Sequence, residues 1–161
     1  MSWLDPLNAH WSLPPEASPR PARRTPHPRH LRGRAWVGVV PFRVENVGPR
    51  GLNWLPGVSA FPELNVRTYV VHEGKPGVWF FSLDAANMLA VQAARAGRLT
   101  RPIFTRTCAG RSREGWIHYE SERDHSGVQS GGFVGRYRPV GEVYHSAPGT
   151  LEAWLTERYC L

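Results

Sequence analysis

Glu63, Asn65 and Arg67 stand two residues apart at the start of a run, through His72, in which side-chain types alternate. Side chains two apart on a strand point the same way. The three therefore offer a carboxylate, an amide and a guanidinium from one face. Turned toward an enclosed interior, that set can hold a small polar or acidic molecule. Turned to solvent, or paired with one another, the same residues are structural. Trp79 and Tyr137, together with Trp116 and Tyr119, are candidates to line such a pocket, and equally candidates for core packing. Asp84 can serve as a cavity acid or as a helix cap.

Other chemistries find less support. Imine formation needs a lysine whose pKa is lowered by a second cation and an apolar pocket. Lys75 is the only lysine in the chain, and it sits in the turn-like stretch Glu73-Gly74-Lys75-Pro76, where a solvated head group is expected. His27 and His30 are spaced HxxH, and His118 and His125 lie near acids, but neither group has a third ligand at metal-site spacing. No metal and no cofactor is expected. Gly127 to Gly135 lacks the setting and the Lys-Ser/Thr ending of a phosphate loop. Cys108 has no histidine near it in sequence, and no Ser-His-Asp order stands out. Catalytic residues stay unassigned.

The net charge of +7 comes from one place. Six arginines fall between Arg20 and Arg34, with no acid between Glu16 and Glu45; without them fourteen basic residues face thirteen acids. A basic arm of this kind can bind nucleic acid or another polyanion weakly and without sequence preference. The segment carries no interleaved aromatics for base stacking, so recognition of nucleic acid is not expected. Two cysteines with no CxxC pair, no secretory leader and no apolar run of 18 residues suggest a cytoplasmic protein off the membrane.

At 161 residues and 41% hydrophobic content, a single domain spanning 1–161 is expected. Trp3, Leu7 and Trp11 at i, i+4 and i+8 predict a short opening helix. Residues 14–33 read as a Pro/Arg-rich irregular loop. Strands are predicted at 35–45, 64–72, 77–83, 103–108, 116–121 and 133–138, the second and third joined as a hairpin, with a Gly/Pro-broken loop at 48–61. A helix over 85–96, capped by Asp84 and stopped by Gly97, and another over 151–159, capped by Thr150, complete the pattern. The expected class is α+β, mainly an antiparallel β-barrel or cone with a few peripheral helices.

The stretches RAWVGVVPF, LPGVSAFPELNVRTYV and GKPGVWFFSLDAAN, with RYRPVG and PGTLEAWLTERYCL later, resemble the YqjF-like family of bacterial proteins in the acetoacetate-decarboxylase-like superfamily. The resemblance implies a strongly bent barrel or cone with an interior cavity and no assigned reaction. In the decarboxylase branch an adjacent lysine pair forms the imine; the matching stretch here, Val78 to Asp84, has no lysine. Glu63 resembles a cavity-lining glutamate of that branch. Family members continue past the TERYCL motif, so the chain is expected to be truncated, with an unpaired sheet edge. Residues 18–32 do not resemble the family. In arginine-rich coding DNA, residues 24–33 read one nucleotide out of phase can spell a Gly-Leu-x-x-Leu-Asp-Thr-Phe-Glu-Gly stretch that does. A compensated pair of frameshifts is the expectation there, which the nucleotide sequence decides.

Overall fold

The computed structural model describes residues 1–17, 27–47, 59–96 and 102–157. Among these the chain is mostly extended, as its β-branched and aromatic runs require. The strands are β1 (Ser2–Leu4), β2 (Ala9–Leu13), β3 (His27–Pro28), β4 (Ala35–Glu45), β5 (Phe61–His72), β6 (Lys75–Ala85), β7 (Ile103–Arg111), β8 (Ile117–Arg123) and β9 (Gly132–Tyr137). Helix α1 (Met88–Ala96) joins β6 to β7, and α2 (Leu151–Thr156) follows β9. Sheet order is β1-β4-β5-β6-β7-β8-β9, with β2 also paired to β4 and β3 to β5. The α+β expectation dominated by strands holds.

Several local expectations do not. The predicted opening helix is two strands, β1 and β2, both paired with β4. Trp3 and Trp11 are exposed, so their helical spacing buries no common stripe. Between the two strands Asp5 takes a left-handed φ of 54° and Leu7 N–H donates to the Pro41 carbonyl at 3.1 Å. Long-range pairing with β4 outweighs local period. Part of the predicted 14–33 loop is ordered: Pro15–Ala17 forms a 3-10 turn, and β3 pairs His27 with Val71 and Pro28 with Val70. Residues 18–26, which hold only part of the stretch on which the frameshift expectation falls, lie outside the described residues, as do 48–58 and Gly97.

The β5–β6 hairpin forms as predicted, its turn carried by Glu73 and Gly74 with φ of 49° and 78°, the type I′ pattern that matches strand twist. Helix α1 starts three residues later than expected. Asp84 is not its cap: Asp84 and Ala85 remain in β6, paired in parallel with Ile103 and Phe104. The Asn87 side chain caps instead, accepting from Ala90 N–H at 3.0 Å. A parallel pair needs a crossover connection, which α1 supplies, so the sheet is not antiparallel throughout. Thr150 caps α2 as expected, accepting from Ala153 N–H at 3.3 Å.

The described residues form two compact units. The first comprises Met1–Asn8, Val39–Asn65 and Ser82–Arg138. Its core joins Val40, Phe42, Val44, Phe61, Ala85 and Val91, and the Trp3 ring stacks on Phe42 at 4.5 Å. The sheet of this unit curls far enough that Asp5, just past β1, meets both β7 and β9. Its carboxylate pairs with Arg111, and its carbonyl accepts from the Tyr137 hydroxyl at 2.9 Å. The second comprises Ala9–Gly38, Val66–Phe81 and Pro139–Leu161. It is built on Tyr69, Val78 and Leu155 with Trp36, Phe80, Leu151 and Trp154 packed around them. Tyr69, wholly buried, lies 4.9 Å from the Trp154 ring and 2.5 Å from His10 Nε2 through its hydroxyl.

Candidate ligand-binding site

Strand alternation in the first unit gathers polar side chains on a buried face. On β7, Thr105 and Thr107 are covered while Arg106 and Cys108 are exposed; on β8, Tyr119, Ser121 and Arg123 are covered while Glu120 and Glu122 are exposed. The antiparallel register sets Thr105 opposite Arg123, Thr107 opposite Ser121 and Ala109 opposite Tyr119. The hydroxyls join up: Thr105 Oγ1 and Thr107 Oγ1 are 2.9 Å apart, and Thr107 donates to Ser121 Oγ at 3.1 Å. Glu63 and Asn65 on β5 and Ser82 and Asp84 on β6 belong to the same unit.

Asp84 is 3% exposed. Arg123 donates to it twice, from Nε to Oδ2 at 2.8 Å and from Nη2 to Oδ1 at 3.3 Å. A buried carboxylate left alone would cost several kcal/mol, and a forked guanidinium answers both oxygens at once. The aspartate that sequence reasoning weighed chiefly as a cap thus anchors the only buried ion pair among the described residues.

Glu63 differs. Burial pushes its carboxyl from 4.5 up to about 7, with the Asn65 side chain hydrogen-bonded to it and pulling the other way. A guanidinium in close contact would instead hold a carboxylate low. Burial also holds the Tyr119 hydroxyl well above its usual value, reinforced by Tyr137 and by the carboxyls of Glu63 and Asp84, and opposed by Thr107. Tyr137 is pushed up to about 12 by burial and by Asp5. The Asn65 Oδ1 and Ser82 Oγ atoms are buried with no hydrogen-bond partner among the described residues, a cost of about 1–3 kcal/mol for each such group. Beside Tyr119 a cavity of about 120 Å³ is bounded by Asp5, Phe42, Ile117 and Tyr137.

The residues singled out from sequence are therefore divided. Glu63 and Asn65 join the polar face, and Tyr137 stands beside it, neighbouring Tyr119. Arg67 and Trp79 belong to the second unit. There Arg67 is buried with its guanidinium 6.0 Å from the Tyr69 ring, and Trp79 is half-buried. Ser82, Asp84, Thr105, Thr107, Ser121 and Arg123 complete the polar face. Their signal in the sequence is polar residues at every second position, as in Thr-Arg-Thr and Tyr-Glu-Ser-Glu-Arg. Among the described residues no group of three or more His, Cys, Asp or Glu side chains is placed to hold a metal ion.

The sequence model of DUF2071, described as an uncharacterized conserved protein, matches residues 1–161. The chain belongs to the DUF2071 family. It is also similar to the uncharacterized protein YqjF of Bacillus subtilis (strain 168), at 37% identity over 160 residues. That alignment covers 99% of this chain and 65% of the relative, so this DUF2071 chain spans about two thirds of YqjF's length. No solved structure matches it. Among its described residues no helix is long and apolar enough to cross a membrane.

Proposed function

We propose that this DUF2071 chain binds a small polar or acidic molecule against the lining of Glu63, Asn65, Ser82, Tyr119 and the Asp84–Arg123 pair, in a fold of the acetoacetate-decarboxylase-like kind. The carrying observation is a half-buried carboxyl, Glu63, that desolvation keeps protonated up to about pH 7 and that acts electrostatically on the Tyr119 hydroxyl. A protonated carboxyl donates a hydrogen bond to an anion, which an ionised one repels. Two buried polar atoms without a partner among the described residues, on Asn65 and Ser82, add an acceptor and a hydroxyl for ligand groups. The unit that holds this lining contains no lysine, so binding proceeds without an imine. We place the protein in a reducing compartment, with Cys108 a free, exposed thiol.

Acetate and acetamide, titrated separately into the protein and followed by amide NMR shifts, test the proposal. Acetate saturates at pH 6 with shifts centred on β5 to β8 and weakens above pH 7 as Glu63 ionises. Glu63→Gln, which still donates but cannot ionise, binds acetate without that weakening, and Glu63→Leu, which cannot donate, loses acetate binding. Acetamide binds more weakly and without that pH dependence. Shifts that stay linear for both probes, or acetate binding in Glu63→Gln that still weakens above pH 7, overturn it.

A further inference from the structure

We infer that the opposite, outward face of β7–β9 carries a second site, a groove for a phosphate monoester with an uncharged organic group. The groove measures about 500 Å³ and is lined by Cys108, Gly110, Ser112, His118, Val134 and Arg136 among others, a volume typical of small-ligand sites. One row of the sheet makes its floor and wall: Gly110 faces His118 across β7–β8, and His118 faces Arg136 across β8–β9. Gly110 leaves the row open, since a Cβ built there meets nothing within 4 Å.

The charge at one end points to the ligand. The Arg136 and Arg138 guanidiniums lie 4.2 and 4.6 Å from the centroid of the same Trp116 ring. Among the described residues no carboxylate pairs with either. The indole holds two like charges together that only an anion would balance. Ser112 Oγ accepts from Trp116 N–H at 3.2 Å, which leaves its own O–H to donate. Arg136, His118 and Ser112, which line one groove, thus offer donors for three acceptor oxygens, the number a phosphate monoester presents. At the other end Glu120 also lines the groove and disfavours a second negative charge. Val134, 80% exposed, and Cys108 offer the organic group an apolar bed.

Calorimetry with inorganic phosphate, phenyl phosphate and a single-stranded oligonucleotide, on the whole chain, separates the sources of phosphate. Phenyl phosphate binds saturably and at least tenfold tighter than inorganic phosphate. Arg136→Gln weakens both at least tenfold, and Gly110→Leu abolishes phenyl phosphate binding; neither moves the unfolding midpoint by more than a few degrees. No saturable binding of phenyl phosphate overturns the site, as does binding that both variants leave unchanged. An oligonucleotide that binds more tightly than phenyl phosphate, with a steep salt dependence retained in Arg136→Gln, assigns the anion affinity to arginines elsewhere and also overturns it. Loss of acetate binding with phenyl phosphate binding intact would remove the proposed function and leave this site standing.

Discussion

Replacing Glu63 with Gln keeps the shape and polarity of the side chain and removes only its titration. Below pH 4.5 the carboxyl is protonated in both folded and unfolded chains and exacts no penalty. Between 4.5 and about 7 the unfolded chain ionises while the folded one does not, so stability falls as pH rises. Above 7 both are ionised and the loss is complete. At about 1.4 kcal/mol per pH unit, a rise from 4.5 to about 7 amounts to about 3 kcal/mol. Urea unfolding of both proteins at pH 4, 5, 6, 7 and 8 isolates this one group, because every other titration cancels in the difference. Glu63→Gln is expected to gain on the natural chain steadily from pH 5 and to lead its pH 4 offset by about 3 kcal/mol at pH 8. An offset that stays constant from pH 4 to pH 8 would refute the claim that burial keeps this carboxyl neutral.

The Asp84–Arg123 pair is expected to behave as a unit. Arg123→Met strands Asp84 and costs about 3–5 kcal/mol by urea unfolding, whereas adding Asp84→Asn recovers most of that loss; no recovery would mean that the arginine acts through packing alone. Asn87→Ala removes the cap of α1 and lowers stability by about 1 kcal/mol, while Asp84→Asn alone leaves amide-exchange protection of the first turn of α1 in place. Tyr69→Phe deletes the hydroxyl facing His10 and costs about 0.5–1.5 kcal/mol, measurable as a lower unfolding midpoint.

Much of this molecule was legible in local chemistry. The long β-branched runs became β4, β5 and β6, Glu73-Gly74 turned the hairpin, and Thr150 capped α2, because each depends on residues within a few positions of one another. Two-residue alternation likewise put Glu63 and Asn65 on one face. What alternation cannot say is which face closes over, or which strand comes next. Arg67 continues the pattern of Glu63 and Asn65, yet a strand of 12 residues runs through both compact units, and the arginine finishes beside Tyr69. The opening segment carries a helical period, yet β4 supplies the backbone partners that make it two strands. Asp84 is an acceptable cap by position, yet the parallel pairing of β6 with β7 holds it in the sheet and delivers Arg123 from 39 residues away. The sequence by itself determined the long central strands, the hairpin turn, the charge and the single lysine of the chain. Tertiary structure alone decided which polar residues meet, because burial of a charge is settled by partners distant in the chain.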